Sequence, residues 1–332
     1  VNNQNRSYLA QIDANNQLTS FNPLITYFYP PNATISTLKI VNNSLLVGGR
    51  ISTVNGQSRT NFAAFDVATG ALLSWAPNPN GTVNSIEQVN NKIVLGGTFT
   101  TSSGVSRNSI ASYDLSFNLS GWNPNPNGTV NLIKLEGQRL YVAGYFTTFA
   151  GQSRSRFAEI DTNTFAVTTL NPGTITGLIY DIARYQNKLY IGGTLTNVNG
   201  SAARNFFTLD LTNNAVDLNL IQADSAIRSI DVDNGNLFLG GQFTIINNQA
   251  KKYFVEYNLT TGTLDDHQLG LNKMVVGVAK NASSLVLIGR FDACKLIPAN
   301  NINCFNDVTG QVLNSPIQTN GPVQRMSIDG RY

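Results

Sequence analysis

One histidine, four glutamates and two cysteines in 332 residues leave this chain few of the groups from which catalytic sites are assembled. A lone imidazole, His267, cannot serve a Ser-His-Asp arrangement and also supply histidine ligands to a metal elsewhere. It stands beside Asp265 and Asp266, but neighbours along a strand point to opposite faces, so the three are not read as a metal site. Of the glutamates Glu87, Glu136, Glu159 and Glu256, the last two fall at similar places in the repeat described below and read as scaffold. Charge of either sign is scarce. Charged residues make up 12% of the chain, about half the usual share for a soluble domain. The 22 Lys and Arg and the 19 Asp and Glu leave a net charge of +3 with no basic run or stripe, which argues against nucleic acid as a partner. No apolar segment approaches the roughly 20 residues that span a bilayer, so no transmembrane segment is expected in this chain. No stretch sustains a period of 3.6, which argues against helices. No cofactor or metal is expected, and the chain is not read as an enzyme.

Apolar residues, at 42%, suffice for a substantial core, while asparagine, serine and threonine supply the polarity that charge does not. A neutral polar surface of this kind is common outside the cell. The chain begins at Val1 without an initiator methionine, so either a signal has been removed or the chain has been cut from a longer one.

The strongest positive signal is a tandem repeat. The segments Leu45–Gly49, Ile93–Gly97, Leu140–Gly144, Leu189–Gly193, Leu237–Gly241 and Leu285–Gly289 are apolar runs that end in glycine, usually a pair, at intervals of 48, 47, 49, 48 and 48 residues. Four short strands can be read in each period. Strand A (Val83–Val89, Val130–Leu135, Ile227–Val232) leads through a tight turn such as Asn234-Gly235 into strand B, which ends at the glycines. Asn-Gly and its relatives accept the positive φ that such turns demand. A longer loop leads to strand C (Phe62–Asp66, Ile110–Asp114), and a turn such as Asp66-Val-Ala-Thr-Gly70 leads to strand D (Ala71–Trp75). A Pro/Asn-rich crossing, Pro77–Gly81 or Pro124–Gly128, returns to the next A. Four antiparallel strands in about 48 residues are a propeller blade.

A-type strands are expected to begin near Ile35, Val83, Val130, Ile175, Ile227, Val275 and Val323, which makes seven blades, yet only six B-type runs are present. The opening Val1-Asn-Asn-Gln-Asn-Arg6 matches Val54-Asn-Gly-Gln-Ser-Arg59, just after a B strand, and Asp329-Gly-Arg-Tyr332 falls just before one. The expectation is all-β: one domain spanning residues 1–332, a seven-bladed propeller whose two termini share a blade, within a longer parent chain.

Two residue types recur once per unit. Arg6, Arg59, Arg107, Arg154, Arg204 and Lys251 stand at the start of strand C. A ring of cations could hold an anion; the favoured reading is that each anchors its own loop by donating to nearby carbonyls. Asp13, Asp66, Asp114, Asp161 and Asp210 end strand C, about 23 Å further along an extended strand, too far to pair with the arginine. They read as turn-forming residues whose carboxylates accept backbone N–H groups. Asp231-Val-Asp-Asn-Gly-Asn236 looks like part of a calcium loop but lacks its later acidic ligand and falls where other units have the A–B turn. Cys294 and Cys304 lie ten positions apart where the repeat departs from its pattern. A disulfide is expected there, which fits an oxidising compartment; two buried thiols are the alternative.

The consensus Leu-Tyr-Val-Gly-Gly-x-Phe-Thr, Gly-x-Ser-Arg, Ala-x-x-Asp-x-x-Thr-Gly and Trp-x-Pro-Asn-x-x-Gly-x-Val is carried best by Ile93–Thr100, Gly56–Arg59, Ala63–Gly70 and Trp75–Val83. It resembles the Gly-Gly-x-Phe-Thr propeller repeats of large secreted bacterial surface proteins. It is also similar to the propeller of fungal cortical markers of cell polarity and, more distantly, to Kelch repeats. The resemblance spans the chain and implies a scaffold, not an activity. A Kelch-type copper oxidase would need histidines this chain lacks, and the Ser-x-Asp-x-Gly-x-x-Trp boxes of sialidases are missing.

Two functions follow as expectations. The first is a non-catalytic module, extracellular or on the cell surface, that binds a protein or glycan or builds a larger surface assembly. The second is a carbohydrate-active propeller enzyme, hydrolase or lyase, because carboxylate spacing in a propeller is set by the ring and not by sequence distance. The B–C loops and D–A crossings share one end of the blades. There the long crossing Phe21–Thr34 carries Tyr27, Phe28 and Tyr29, and the cysteine loop carries Lys295 and Ile297. Rigid aromatics backed by proline are usual interface anchors, so these five residues are the expected partner-binding group, the competing reading being that the aromatics cap their own blades.

Overall fold

The computed structural model describes residues 4–6, 8–13, 17–28, 32–267, 269–281, 284–294, 297–298, 302–306, 312–313, 319 and 323, with the backbone alone at 281, 297–298, 302–306 and 312–313. The described residues form strands and turns and contain no helix. They fall into two compact units, one within Gln4–Asn171 and the other within Pro172–Met326.

The first unit holds three antiparallel sheets of the order A–B–C: Thr34–Val41, Ser44–Arg50 and Phe62–Asp66; Val83–Val89, Lys92–Gly97 and Ile110–Asp114; Val130–Glu136, Arg139–Gly144 and Phe157–Asp161. The second holds three of the order A–B–C–D: Ile179–Tyr185, Lys188–Gly193, Phe206–Asp210 and Val216–Asp217; Ile227–Asp233, Asn236–Gly241, Phe254–Asn258 and Leu264–Asp265; Val275–Asn281, Ser284–Gly289, Ile302–Asn306 and Val312–Leu313. Before the first of these sheets the described residues include the isolated bridge Ile12–Leu18. Strand D is shorter than the sequence suggests. In the first unit it contracts to single bridges, Phe65–Leu72, Tyr113–Leu119 and Ile160–Val167, because an outermost strand has a pairing neighbour on one side only.

Strand B is buried almost throughout, as Ile93, Val94 and Leu95 show, because sheets pack against both of its faces. The glycine pair that ends it has two separate causes. A Cβ on Gly96 would lie 2.5 Å from Val130 of the adjacent sheet, so this glycine admits the neighbouring strand A. A Cβ on Gly97 would lie 2.0 Å from the carbonyl oxygen of Thr82, so this one admits its own sheet's backbone. Side-chain hydrogen bonds then fasten successive A strands. Within the first unit Thr37 accepts from the Ile86 N–H and Ser85 from the Ile133 N–H; within the second, Asp181 accepts from Ile230 and Ser229 from Val278.

Two expectations need correction. Ile175 does not begin a strand A: Ile175–Thr176 pairs with Asn197–Val198, and strand A starts at Ile179, two residues after Gly177, as Val83 follows Gly81. The B–C connection is not an irregular loop but a small two-stranded hairpin in every sheet. The cysteine segment keeps it too, since Ala293–Cys294 pairs with Ile297–Pro298. Cys294 is buried; the Cys304 side chain, and with it the disulfide, lies outside the described residues.

Candidate functional site

Each sheet has two ends with different chemistry. At the C–D end the carboxylates are consumed by their own turns. Asp66 accepts from the Thr69 N–H and hydroxyl, Asp114 from the Ser116 and Asn118 N–H, Asp161 from the Asn163 and Thr164 N–H, Asp210 from the Thr212 N–H and hydroxyl, and Asp13 from the Gln17 N–H. Asn258 takes the same place with Thr260 and Thr261. These bonds favour the ionised form and lower the pKa of Asp66, Asp114, Asp161 and Asp210; the largest contributors are the N–H groups of Thr69, Asn118 and Thr164 and, for Asp210, the Thr212 hydroxyl.

The recurrent arginines are likewise directed inward. Arg59 donates to the carbonyls of Ser58 and Leu73 and to Gln57; Arg107 to those of Ser106 and Ser120; Arg154 to those of Ser153 and Thr168 and to Gln152; Arg6 to those of Asn5 and Thr19 and to Gln4. Each ties the B–C hairpin to strand D. Arg204 is not part of this set. The residue in that slot is Ala203, whose N–H meets Thr196 as the Arg154 N–H meets Thr147, and Arg204 lies exposed one position later. Lys251 fills the slot in the next sheet and pairs with Asp266 at 3.3 Å.

All four glutamates have partners: Glu87 pairs with Lys39, Glu136 with Lys134 and Glu159 with Arg139, and Glu256 is hydrogen-bonded to His267 at 2.7 Å. The hydrogen bond to Glu256, assisted by Asp265 and Asp266, raises the His267 pKa above its ordinary value against the opposing effect of burial. Asp231 accepts from the Lys280 N–H and Asp233 pairs with its ammonium, so the calcium-like segment spends both carboxylates on Lys280. No three His, Cys, Asp or Glu side chains converge on a metal position among the described residues. A shallow recess of about 180 Å³, lined by Lys252, Phe254, Asp266, Leu269 and Leu271, lies beside His267 and Lys251.

The B–C/D–A end is different. Its loops are clamped by an Asn or Asp of the crossing: Asn80 accepts from the N–H groups of Thr100 and Thr101, Asn127 from Thr147 and Thr148, Asp224 from Thr244 and Ile245. On this rigid edge stand arginine–tyrosine stacks. Arg50 lies 4.8 Å from the Tyr27 ring, Arg156 lies 5.2 Å from Tyr145, and Arg228 lies 4.2 Å from Tyr180. Tyr27 is half-buried against the core cluster that contains Ile25, Val47 and Val54, whereas Phe28 is 71% exposed and Tyr145 is 52% exposed. Tyr29 and Lys295 lie outside the described residues, and Ile297 is described in backbone only.

Each of the six strands A also carries a β-bulge near its start, at the second residue or, in Thr34–Val41, the third, at this same end. The bulged residues are Ser36, Asn84, Asn131, Tyr180, Arg228 and Val276, all half-buried. A bulge leaves one residue without a cross-strand partner and re-aims its side chain. Successive bulges touch: Asn84 donates to Asn131, and Arg228 stacks on Tyr180. The sequence reading missed this row, because a bulge inside an alternating strand leaves only a one-residue phase slip.

Residues 88–114 and 139–163 match the family described as a domain of unknown function, DUF5122, a β-propeller. No curated protein sequence matches the chain. Among solved structures, the chain is similar to the computationally designed Ika8 protein, with a TM-score of 0.54 at 14% identity over 89% of this chain and 78% of that one. It is also similar to the Neurospora crassa Pan2 WD40 domain, with a TM-score of 0.54 at 12% identity over 88% and 82%. A third structure is an extracellular domain of BT4673 from B. thetaiotaomicron, with a TM-score of 0.51 at 14% identity, where the match covers 79% of this chain and 32% of that one. These likenesses concern fold, and together with the repeat they place the chain among β-propellers.

Proposed function

We propose that this chain is a non-catalytic binding module of the extracellular space or cell surface, and that its blades close into a seven-membered ring. The B–C/D–A end meets a protein or glycan partner, within a larger surface assembly. The observation that carries this reading is the contrast between the two ends. Carboxylates at the C–D end are spent on their own turns, while the other end presents Phe28, Tyr145 and the Arg–Tyr stacks on clamped loops. Aromatic and arginine side chains on a rigid frame bury much area at little entropic cost, which is what a binding surface needs. The non-catalytic reading draws support from the glutamates, three already paired with a Lys or Arg and the fourth hydrogen-bonded to His267. An external location is supported by the low charge and by a structural neighbour that is itself an extracellular domain.

The test is retention of the purified protein on the envelope of the cells that make it. Replacing Tyr27, Phe28 and Tyr29 together by Ser is expected to abolish retention while a cooperative melting transition persists, lowered only by the loss of the Tyr27 packing. Undiminished retention, or a partner seated on the C–D turns, overturns the choice of end. A structure with six or eight blades overturns the ring.

A further inference from the structure

Arg228 is an arginine without an anion. Its Nη2 donates to Gln242 at 3.3 Å, its Nε is buried with no partner, and it forms no ion pair among the described residues. Arg139 by contrast meets Asp161 and Glu159, and the anchoring arginines Arg59 and Arg154, whose Nε is likewise buried without a partner, reach backbone carbonyls through their amino groups. Arg228 is also held still. Its guanidinium lies 4.2 Å from the Tyr180 ring, Gln242 fixes one amino group, and Gln242 in turn reaches the Met274 sulfur at 3.4 Å. Both Tyr180 and Arg228 occupy bulges, where the backbone and not the side chain sets the direction.

A half-buried guanidinium that is pre-oriented and lacks a counter-ion has its entropic cost of ordering already met, and it suits a planar carboxylate. The surroundings indicate the carrier of that carboxylate. Tyr180 has a face covered by the guanidinium, which removes that face as a platform for a sugar ring. Met274 meets Gln242, the residue that holds the guanidinium, Val276 holds the next bulge, and Ile245 on the B–C hairpin of the Arg228 sheet is 43% exposed. Tyr, Arg and Met with aliphatic neighbours are the composition of a protein–protein contact. We propose that Tyr180 and Arg228 form a docking point for an acidic side chain of a protein partner. This rests on the binding-module reading and names the chemistry of one of its contacts.

The test uses fluorescence anisotropy at low salt with labelled decaglutamate and decaglutamine peptides. Wild-type protein is expected to bind decaglutamate at least tenfold more tightly than decaglutamine. R228Q is expected to lose at least tenfold of that affinity, R228K to lose part of it because the planar stack is gone, and R184Q to stay within twofold. Arg184 is the control because it lies in the same unit, near the A–B turn, where it donates to the Gln186 carbonyl. Binding by both Arg228 variants within twofold of wild type overturns the proposal, as does an equal loss in R184Q, which would mean bulk charge. Displacement of the peptide by oligogalacturonate at lower concentration than by oligoglutamate of the same length also overturns it, in favour of an acidic glycan. Envelope retention of R228Q separates the two levels. Retention with unchanged peptide binding removes only this site, whereas undiminished retention of the Tyr27–Tyr29 variant counts against the proposed binding end itself.

Discussion

Placing alanine at each glycine of one pair measures the two causes separately. In Gly96→Ala the new Cβ meets the Val130 Cγ1 at 2.5 Å and the Ile133 Cδ1 at 2.8 Å, both ends of side chains that can turn. In Gly97→Ala it meets the Thr82 carbonyl oxygen at 2.0 Å, where real Cβ contacts essentially never fall below 3.0 Å, so the backbone of the Val83–Gly97 pair must open. Overpacking a core costs about 1–3 kcal/mol when side chains absorb it. G96A should therefore fall within that range, and G97A at its top or beyond, roughly 3 kcal/mol or more. The chain has run this comparison itself. The six sheets carry Gly48, Gly96, Ala143, Gly192, Gly240 and Ile288 at the first position, but glycine at every second one. Where Ile288 enters, its cross-strand partner is Gly277, on which a Cβ would lie 2.7 Å from the isoleucine, so the space has been moved from strand B to strand A. Urea midpoints at constant m-value would report both costs. A G97A variant as stable as G96A would refute the reasoning.

Ser85→Ala removes the acceptor of the buried Ile133 N–H and is expected to cost about 1–3 kcal/mol, read as a lowered urea midpoint. The Asp turns have folded pKa values below the unfolded ones, so their contribution is present above the unfolded value and fades as pH falls through the folded one. Replacing Asp66, Asp114, Asp161 and Asp210 by Asn, as Asn258 already stands, should flatten the decline of melting temperature below about pH 4. His267 has the opposite sign. Its pKa is raised by Glu256, so its contribution is complete below the unfolded value of about 6.5 and is lost as pH rises through the folded one. H267Q should remove that alkaline-side loss; an identical pH profile would show that the pair contributes nothing.

Strands A, B and C could be read from the sequence because each is bounded by something local. Val83–Val89 begins after Gly81 and ends at an Asn turn, and Phe62–Asp66 ends on the aspartate that starts its own turn. Strand D could not be bounded: Ala71–Trp75 has β-forming residues but pairs through Leu72 alone, and how much of an edge strand pairs is decided by its single neighbour. The fourth strand A was misplaced because Ile175–Thr176 has the composition of a strand and does pair, though with the B–C hairpin. Arg204 was grouped with the anchoring arginines by proximity in sequence, and a one-residue offset separates an anchored guanidinium from an exposed one. None of these errors involves chemistry. They arise where register, which depends on the partner strand, overrides composition.

The same argument explains why the bulge row is the part of a blade able to carry specificity. The residue before each bulge is Ile35, Val83, Val130, Ile179, Ile227 or Val275, always β-branched, and all but Ile35 are buried, because it packs against a strand-B glycine of the adjacent sheet where that contact lies within a unit. The residue after it is most often a Thr, Ser or Asp that fastens the next strand A. Between them the bulged residue stands outside the ladder's register, and the six sheets carry Ser36, Asn84, Asn131, Tyr180, Arg228 and Val276 there, so its identity varies from serine to arginine while the sheet persists. A scaffold that repeats every 48 or so residues must hold most positions fixed to keep repeating. Residue identity varies most where the repeat exerts least demand, and Tyr180 and Arg228, the pair proposed above as a docking point, stand at two such positions in adjacent sheets.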